Sequence, residues 1–471
     1  MRVLLPVHMY LPEHRAGIET YTDQLARELA KTDDVTITTT RKIISLETGT
    51  IRRCTVHGIP VLEVVNNLSF DRFEDTWKNP VMESAFERVL DEVRPDVVHF
   101  QHLMYWSWGL PALANARGAR TVATLHDYWT ICPRSQMIDW RGRLCAAPEE
   151  SRCIECMAHT TFGQPPAARK WIRRLTALRR ATGVPLDEPM RWLQRHRARL
   201  ARGGTRIRTD REPADDPRNA NESTHPVDLE PWREAFHARR AALSSLGNDL
   251  DLAITPSETL RNSVVAEGFP ADRIRVLAQG LDHTPFAGIE RNPSRGKLRL
   301  GFLGTLAPHK GVHVLLEAFQ RLPTDAVELR IWGPSSQHRE YAERLYDMAR
   351  SSTNVHFLGS LTKPEVPGAY RDVDISCVPS LWNECCPLTI QESMMAGVPC
   401  VVSGLGGMAE LIRDDVDGLH ATPGDVDDWE RVLRRLLEEP NLLRRLGDAI
   451  RPVPTLEHHA SQLRELYTRR R

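Results

Sequence analysis

The stretch Glu384-Cys385-Cys386-Pro387-Leu388-Thr389-Ile390-Gln391-Glu392 sets two carboxylates around the expected start of a short helix. An apolar run from Val373 to Val378 precedes it and reads as a buried strand, with Pro379-Ser380-Leu381-Trp382-Asn383 as the connecting loop. Pro387 suits the first helical position, where its missing N–H would be unpaired anyway, and Gly397 supplies the stop. The free amides and the dipole of such a helix start favour a diphosphate. Glu392 lies about a turn and a half inside the helix, where it can accept hydrogen bonds from ribose hydroxyls. Alone, the two glutamates read equally well as capping or solvated groups, so the flanking segments have to decide.

Upstream, Leu298 to Leu306 reads as a buried strand, followed by Ala307-Pro308-His309-Lys310-Gly311. A helix is expected from Val312 to Arg321, with Val314, Leu315 and Ala318 at helical spacing. Lys310 is thereby presented at the carboxyl end of a strand, the edge where open parallel sheets bind ligands. Trp332-Gly333-Pro334 after Val327 to Ile331 forms a second such loop, and Ser403-Gly404-Leu405-Gly406-Gly407-Met408-Ala409-Glu410 after Val398 to Val402 forms a third. Glycine in these loops lets the backbone approach a phosphate closely. Strands alternate with helices along the chain, which predicts parallel sheets covered on both faces. The 471 residues suit two doubly wound lobes, each able to bury its own core.

The stretch from Gly301 to Gly424 resembles the donor-binding half of a family 4 retaining glycosyltransferase of the GT-B architecture, in which two Rossmann-like lobes face a central cleft. The resemblance rests on the glutamate pair together with Gly304-Thr305-Leu306-Ala307-Pro308-His309-Lys310-Gly311, Glu392-Ser393-Met394-Met395-Ala396-Gly397-Val398-Pro399, and Gly407-Met408-Ala409-Glu410-Leu411-Ile412 followed by Asp417-Gly418-Leu419. The amino-terminal half is similar to the same family. It has a first strand at Val3 to Val7, a tight loop Ala16-Gly17-Ile18-Glu19-Thr20 with one glycine of the family's pair changed, and an amphipathic helix from Tyr21 to Lys31. Further strands end in His99 and in His126-Asp127-Tyr128-Trp129. The organisation implied is an acceptor-side lobe over 1–285, a nucleotide-sugar lobe over 286–452, and a carboxyl-terminal helix within 453–471 that crosses back to the first lobe.

By this resemblance the protein moves a sugar from a nucleoside diphosphate sugar, UDP- or GDP-linked, to an acceptor hydroxyl of a glycan or lipid-linked molecule, with retained anomeric configuration. His126, Lys310 and Glu384 are the expected catalytic residues. The donor is expected to meet Gly17, Thr305, Lys310, Gly333, Glu384, Pro387, Leu388, Thr389 and Glu392. No catalytic cofactor is implied, because Lys310 and backbone amides can stabilise the departing diphosphate. The Asp372-Val373-Asp374 motif lies at the start of its strand, away from that edge. Thr305 stands where the family often has arginine, and Cys385-Cys386-Pro387 replaces a glycine-containing turn. A sugar-nucleotide epimerase of the same fold and a non-catalytic nucleotide-sugar-binding protein are the alternative readings.

Formal charge is balanced, with 62 basic and 62 acidic residues, but fourteen Lys or Arg face three acids between Arg169 and Arg211. Trp171, Ile172, Leu175 and Leu178 fall on one expected helical face within it, beside Arg173, Arg174, Arg179 and Arg180. Such a helix either lies on an anionic membrane or packs on its own lobe; nucleic acid is not expected, since no base-reading fold accompanies the charge. Gly203 to Pro226 reads as a polar link within an insertion over 157–247. No apolar run approaches the roughly 20 residues of a membrane span, and Glu13, His14 and Arg15 follow the first strand where a secretory signal would continue. A cytoplasmic protein is expected, with the inner membrane face as its candidate contact.

Nine cysteines without a secretory signal argue against a disulfide framework. Cys132, Cys145, Cys153 and Cys156 cluster in sequence and include a C-x-x-C pair. They read either as ligands of a structural zinc ion or iron–sulfur cluster, or as free, partly buried thiols.

Overall fold

The computed structural model describes residues 1–164, 166–182, 228–292 and 296–468. Among them, eight strands build a first sheet in the order β3-β4-β2-β1-β5-β6-β7-β8. These are β1 Arg2–Val7, β2 Asp34–Arg41, β3 Ile51–Val56, β4 Ile59–Val65, β5 Val97–Phe100, β6 Arg120–Thr124, β7 Leu252–Thr255 and β8 Ile274–Val276. Six strands build a second sheet in the order β11-β10-β9-β12-β13-β14: β9 Leu298–Leu303, β10 Val327–Trp332, β11 Val355–Phe357, β12 Ile375–Val378, β13 Cys400–Ser403 and β14 Gly418–Ala421. Every pairing in the second sheet is parallel. In the first sheet only β3 and β4 pair antiparallel, through a tight turn at His57 and Gly58, both at positive φ. This is the two-lobed, doubly wound architecture expected.

Apolar alternation explains the layering. In β1, Val3, Leu5 and Val7 enter the core on one face of the sheet, whereas Leu4 enters the core on the other. β5, β12 and β13 are buried along their whole length, as strands covered on both faces must be. The helix Leu456–Thr468 belongs to the first lobe's core through Ala460, Leu463 and Tyr467. Its anchors are polar as well: Tyr467 Oη lies 2.6 Å from His99 Nδ1, Tyr21 Oη lies 2.5 Å from His459 Nε2, and Arg464 reaches Asp33 at 2.8 Å.

Strand order reverses at β1/β5 in the first sheet and at β9/β12 in the second. The loops leaving those strands therefore open into crevices. At the opposite edge of the second sheet, Asp374 holds Arg299 through Nε at 3.0 Å and Nη2 at 2.8 Å and accepts the Arg299 backbone N–H at 2.8 Å. Asp372 reaches the same guanidinium at 3.4 Å. The D-x-D motif thus locks β12 to β9.

Several boundaries differ from expectation. The helix after β1 begins at Gly17 rather than Tyr21, because Glu19 turns back onto the Ala16 N–H at 3.1 Å and stabilises the first turn. Pro387 is the residue before the helix Leu388–Met395, one position earlier than expected, with an extended ψ of 121°. The helix Pro166–Thr182 is present, but its apolar residues do not share one exposed face. Ile172 is buried at 6% exposure, whereas Trp171 and Leu178 are 64% and 50% exposed; the side chains of Leu175, Arg179 and Arg180 lie outside the described residues, as does the link Gly203 to Pro226. Arg169 and Arg173 are both paired with Asp71, so part of the basic charge is spent holding the helix to the lobe. No helix among the described residues is long and apolar enough to cross a membrane.

Replacing Asp374 by Ala removes three hydrogen bonds to Arg299 and leaves its guanidinium the longer Asp372 contact at 3.4 Å. We expect a loss of about 3 kcal/mol of stability, read as a lowered urea midpoint.

Candidate active site

The Lys310 ammonium lies 2.8 Å from Glu384 Oε1, and this pair sits where the loops after β9 and β12 meet. Lys310 ends a single turn, Pro308–Lys310, and Gly311 follows in the left-handed region at φ 69°. A Cβ on Gly311 would fall 1.9 Å from the Pro379 carbonyl oxygen, so only glycine lets the two loops touch. Glu384 is 6% exposed, and its carboxylate also accepts a hydrogen bond from the Ser380 hydroxyl. Burial alone would raise the Glu384 carboxyl, but Lys310, Ser380 and His309 together outweigh it and hold it below its ordinary value. The pair is therefore ionised, with Lys310 also 5.6 Å from the centre of the Trp382 ring.

The other loops pack against this pair by backbone. A Cβ on Gly333 would lie 1.8 Å from the Gly304 oxygen, and one on Gly407 would lie 2.0 Å from the Cys385 oxygen. Gly407 donates its N–H to the Glu384 carbonyl at 2.7 Å. Thr305 lies between Gly304 and Leu306, whose N–H groups bond to Trp332 and Pro334, so it is held beside Gly333 but brings no cation. Downstream, the Leu388–Met395 helix begins with the amides of Leu388 and Thr389, unpaired among the described residues, and Gly397 at φ 67° closes its far end: Gly397 N–H bonds to Met394 and Val398 N–H to Ser393. The Thr389 carbonyl is tied down by Tyr370 Oη at 2.9 Å.

Glu392, in that helix, has no hydrogen-bond partner among the described residues, although Lys363 acts on it electrostatically. Burial pushes its carboxyl up to about 7, with Lys363 pulling the other way. A buried carboxyl shifted upward and without a hydrogen-bond partner among the described residues marks Glu392 as a candidate functional group.

The first lobe closes the site from above. Gly17 opens its helix with an ideal Cβ position 3.5 Å from Leu388 Cδ1, so the two helix starts face each other. His126 lies at the end of β6 between two amides: Gln279 Nε2 donates to Nδ1 at 2.8 Å, and Nε2 meets Gln101 Oε1 at 3.3 Å. That arrangement fixes the tautomer with the proton on Nε2. Burial, then His102 and His459, lower its pKa to about 3, so the ring is neutral. Tyr21 packs edge-on against it with ring centres 5.2 Å apart. Beside it, Asp127 accepts from His102 Nε2 at 3.3 Å and from the Trp129 N–H at 2.8 Å.

Two further contacts join the lobes. Cys385, from the second lobe, packs into the first lobe's core against Tyr128. Glu410 reaches across to accept the N–H groups of Glu258 and Thr259 at 2.8 and 2.6 Å, and so caps the helix Glu258–Ala266 of the opposite lobe.

The structure thus brings Lys310, Glu384, Gly333, Thr305 and the Leu388–Thr389 amides together with Gly17, while the recorded partners of His126 all belong to the first lobe. Ser380, Lys363, Gln101 and Gln279 are contributors that motif reading did not single out. Ser380 could have been suspected from its place four residues before Glu384; Lys363 and Gln279 carry no local signal. Cys132, Cys145, Cys153 and Cys156 all border one cavity away from this crevice. Among the described residues no three His, Cys, Asp or Glu side chains already meet as a metal-binding set.

Residues 289–452 match the family of glycosyl transferases group 1, and residues 16–182 match the glycosyl transferase 4-like domain. The chain belongs to the family 4 glycosyltransferases. Among curated relatives of this family, the D-inositol 3-phosphate glycosyltransferase of Salinispora arenicola is 32% identical over 202 residues, covering 38% of this chain and 45% of the relative. The MMP alpha-(1->4)-mannosyltransferase of Mycolicibacterium hassiacum is 32% identical over 182 residues, covering 38% and 43%. The matches span about half the length of these curated relatives. Anabaena HepE, solved with UDP and glucose, shares the fold with a TM-score of 0.60 at 14% identity, 99% of each chain being covered. Sucrose-phosphate synthase from Thermosynechococcus elongatus does so with 0.62 at 16%, covering 99% and 98%.

Because the folded chain holds the Glu392 proton more tightly than the unfolded chain does, stability falls as pH rises from the ordinary carboxylate value to about 7. Glu392→Gln removes that penalty. Its urea midpoint should exceed the parent's by a wider margin at about pH 8 than at about pH 5.

Proposed function

We propose that this protein transfers a sugar from a nucleoside diphosphate sugar to an acceptor hydroxyl with retention of anomeric configuration. In the reaction the bond from anomeric carbon to diphosphate oxygen breaks, the acceptor oxygen bonds to that carbon, and the acceptor's proton neutralises the departing phosphate. The observation that carries the reading is the Lys310–Glu384 pair, set at a topological switch point beside a helix start with free amides. Charge developing on the diphosphate is met by Lys310, by the Leu388 and Thr389 amides and by the helix start at Gly17. Pro387 donates nothing there and serves to direct the chain.

Glu384 binds sugar hydroxyls, held in place by Lys310 and Ser380. Glu392 accepts the ribose hydroxyls, which supplies the partners its carboxyl lacks. His126, neutral and with its proton on Nε2, donates to a sugar hydroxyl once Gln101 gives it up. No metal ion is required by this scheme, since ammonium and amides carry the leaving-group charge. UDP and GDP are the candidate donor nucleotides, and UDP comes first because HepE was solved with it.

The acceptor enters over the first lobe and is a glycan or lipid-linked hydroxyl. Exposed Trp171 and Leu178 on a basic helix support a cytoplasmic enzyme working at the inner membrane face. Neither an epimerase nor a silent binder of nucleotide sugars is favoured by the matched families or the named relatives.

A thermal-shift titration tests the donor crevice. At about a hundred times its dissociation constant a nucleotide adds roughly 2.7 kcal/mol of stability, and Lys310→Ala should abolish the response. With the matched donor, Lys310→Ala should lower kcat by about 10²–10³-fold. An unchanged response to every nucleotide in the variant would overturn the assignment. Nucleotide affinity should also rise with pH through about 7 as Glu392 ionises, and this slope should vanish in Glu392→Gln.

A further inference from the structure

Cys132, Cys145, Cys153 and Cys156 come from three separate pieces of chain that fold around one cavity of about 30 Å³. Cys132 begins a turn, its carbonyl accepting the Ser135 N–H at 2.9 Å. Cys145 follows a small hairpin whose Ile138 and Leu144 pair antiparallel. Cys153 and Cys156 lie three apart on the helix Glu150–Ala158, a spacing that puts both on one face. All four thiols are free and line that one cavity, although among the described residues they do not yet stand together as a metal-binding set.

A second, independent observation concerns charge. Arg239, on the helix Glu230–Asp249, is 5% exposed and has no carboxylate partner among the described residues. Its guanidinium sits 4.6 Å from the centre of Trp108, 5.0 Å from Trp129 and 5.5 Å from Trp77. Its nearest hydrogen-bond acceptor is the Trp129 carbonyl, and its Nε has no partner. Arg239 lines a second cavity together with Cys153. Among the described residues Arg134, lining the first cavity, bonds to the Ile138 carbonyl and the Thr160 hydroxyl at 3.0 and 3.3 Å and to no carboxylate. A cation buried as deeply as Arg239 without an anion is costly. A zinc ion held by four thiolates is a doubly negative centre and supplies that anion.

We propose that Cys132, Cys145, Cys153 and Cys156 bind one zinc ion as four thiolates, with Arg134 and Arg239 compensating the charge. The thiols draw together around the ion and release four protons to solvent, giving tetrahedral Zn–S bonds of about 2.3 Å. The ion ties the turn after Trp129, the hairpin and the helix Glu150–Ala158 into one module, which Arg239 joins to the helix that follows the insertion. No electron transfer is involved.

The test is metal analysis of the full chain, purified without chelator from zinc-replete cells. We expect about one zinc per chain and no visible absorption, with the metal lost at least about tenfold in Cys132→Ser and in Cys153→Ser and retained in Cys54→Ser, whose cysteine is exposed and remote from the cavity. Because a ligand variant can misfold, the parent is also titrated with an organomercurial: zinc should leave in step with modification of the clustered thiols, and those thiols should resist a mild thiol reagent until then. Absence of metal with all four thiols freely reactive would overturn the proposal. So would iron with a coloured charge-transfer band, which identifies a cluster instead, or a disulfide between any two of the four.

Discussion

Everything in the crevice is arranged around an ammonium held 2.8 Å from a buried carboxylate. Taking Glu384 out of water disfavours its charge, and Lys310, Ser380 and His309 together outweigh that cost. The Lys310–Glu384 contact fixes the two loops after β9 and β12 in one relative position. Gly311 and Gly407 are the consequence in the backbone: each stands where a Cβ would strike the neighbouring loop. A loop positioned this tightly can present amides to a diphosphate without moving, which is the condition for electrostatic stabilisation of a leaving group.

The second constraint is closure. The candidate site draws on both lobes, since Leu388 and Thr389 belong to one and Gly17 and His126 to the other. The lobes meet through a small number of contacts whose chemistry differs. Cys385 fills an apolar position under Tyr128, and Glu410 caps a helix across the cleft. Glu410 is an exposed residue, whereas Cys385 is buried. The helix Leu456–Thr468 completes the arrangement, since its His459 and Tyr467 bond to residues within the first lobe's core and so return the chain to the lobe where it began.

Sequence made the second lobe legible because its strands are short continuous apolar runs and its loops carry glycine at positions that only close backbone contact explains. The pair Lys310–Glu384 was visible as two loop residues at strand ends, although not as an ion pair: nothing in the spacing of residues 74 apart says that they touch. The start of the first helix was misplaced because Glu19 folds back on Ala16, a local interaction that overrides the loop character of Ala16-Gly17. Gln101 and Gln279, which orient His126, come from strand ends brought together only by sheet order. The Arg-rich helix divides its apolar residues. Ile172 packs into the lobe while Trp171 and Leu178 stay exposed, and helical spacing alone does not distinguish a residue that packs from one that does not.

The cysteine module and the active site are linked through one short segment. His126 closes β6, and Tyr128 and Trp129 follow it into the core before Cys132 begins the module. Tyr128 receives Cys132 N–H on its carbonyl at 2.7 Å and packs in one core with Cys385 of the other lobe. Trp129 extends this packing to Arg239, whose guanidinium it shares with Trp77 and Trp108. One short segment after β6 thus touches the turn that opens the module, the opposite lobe and the helix Glu230–Asp249.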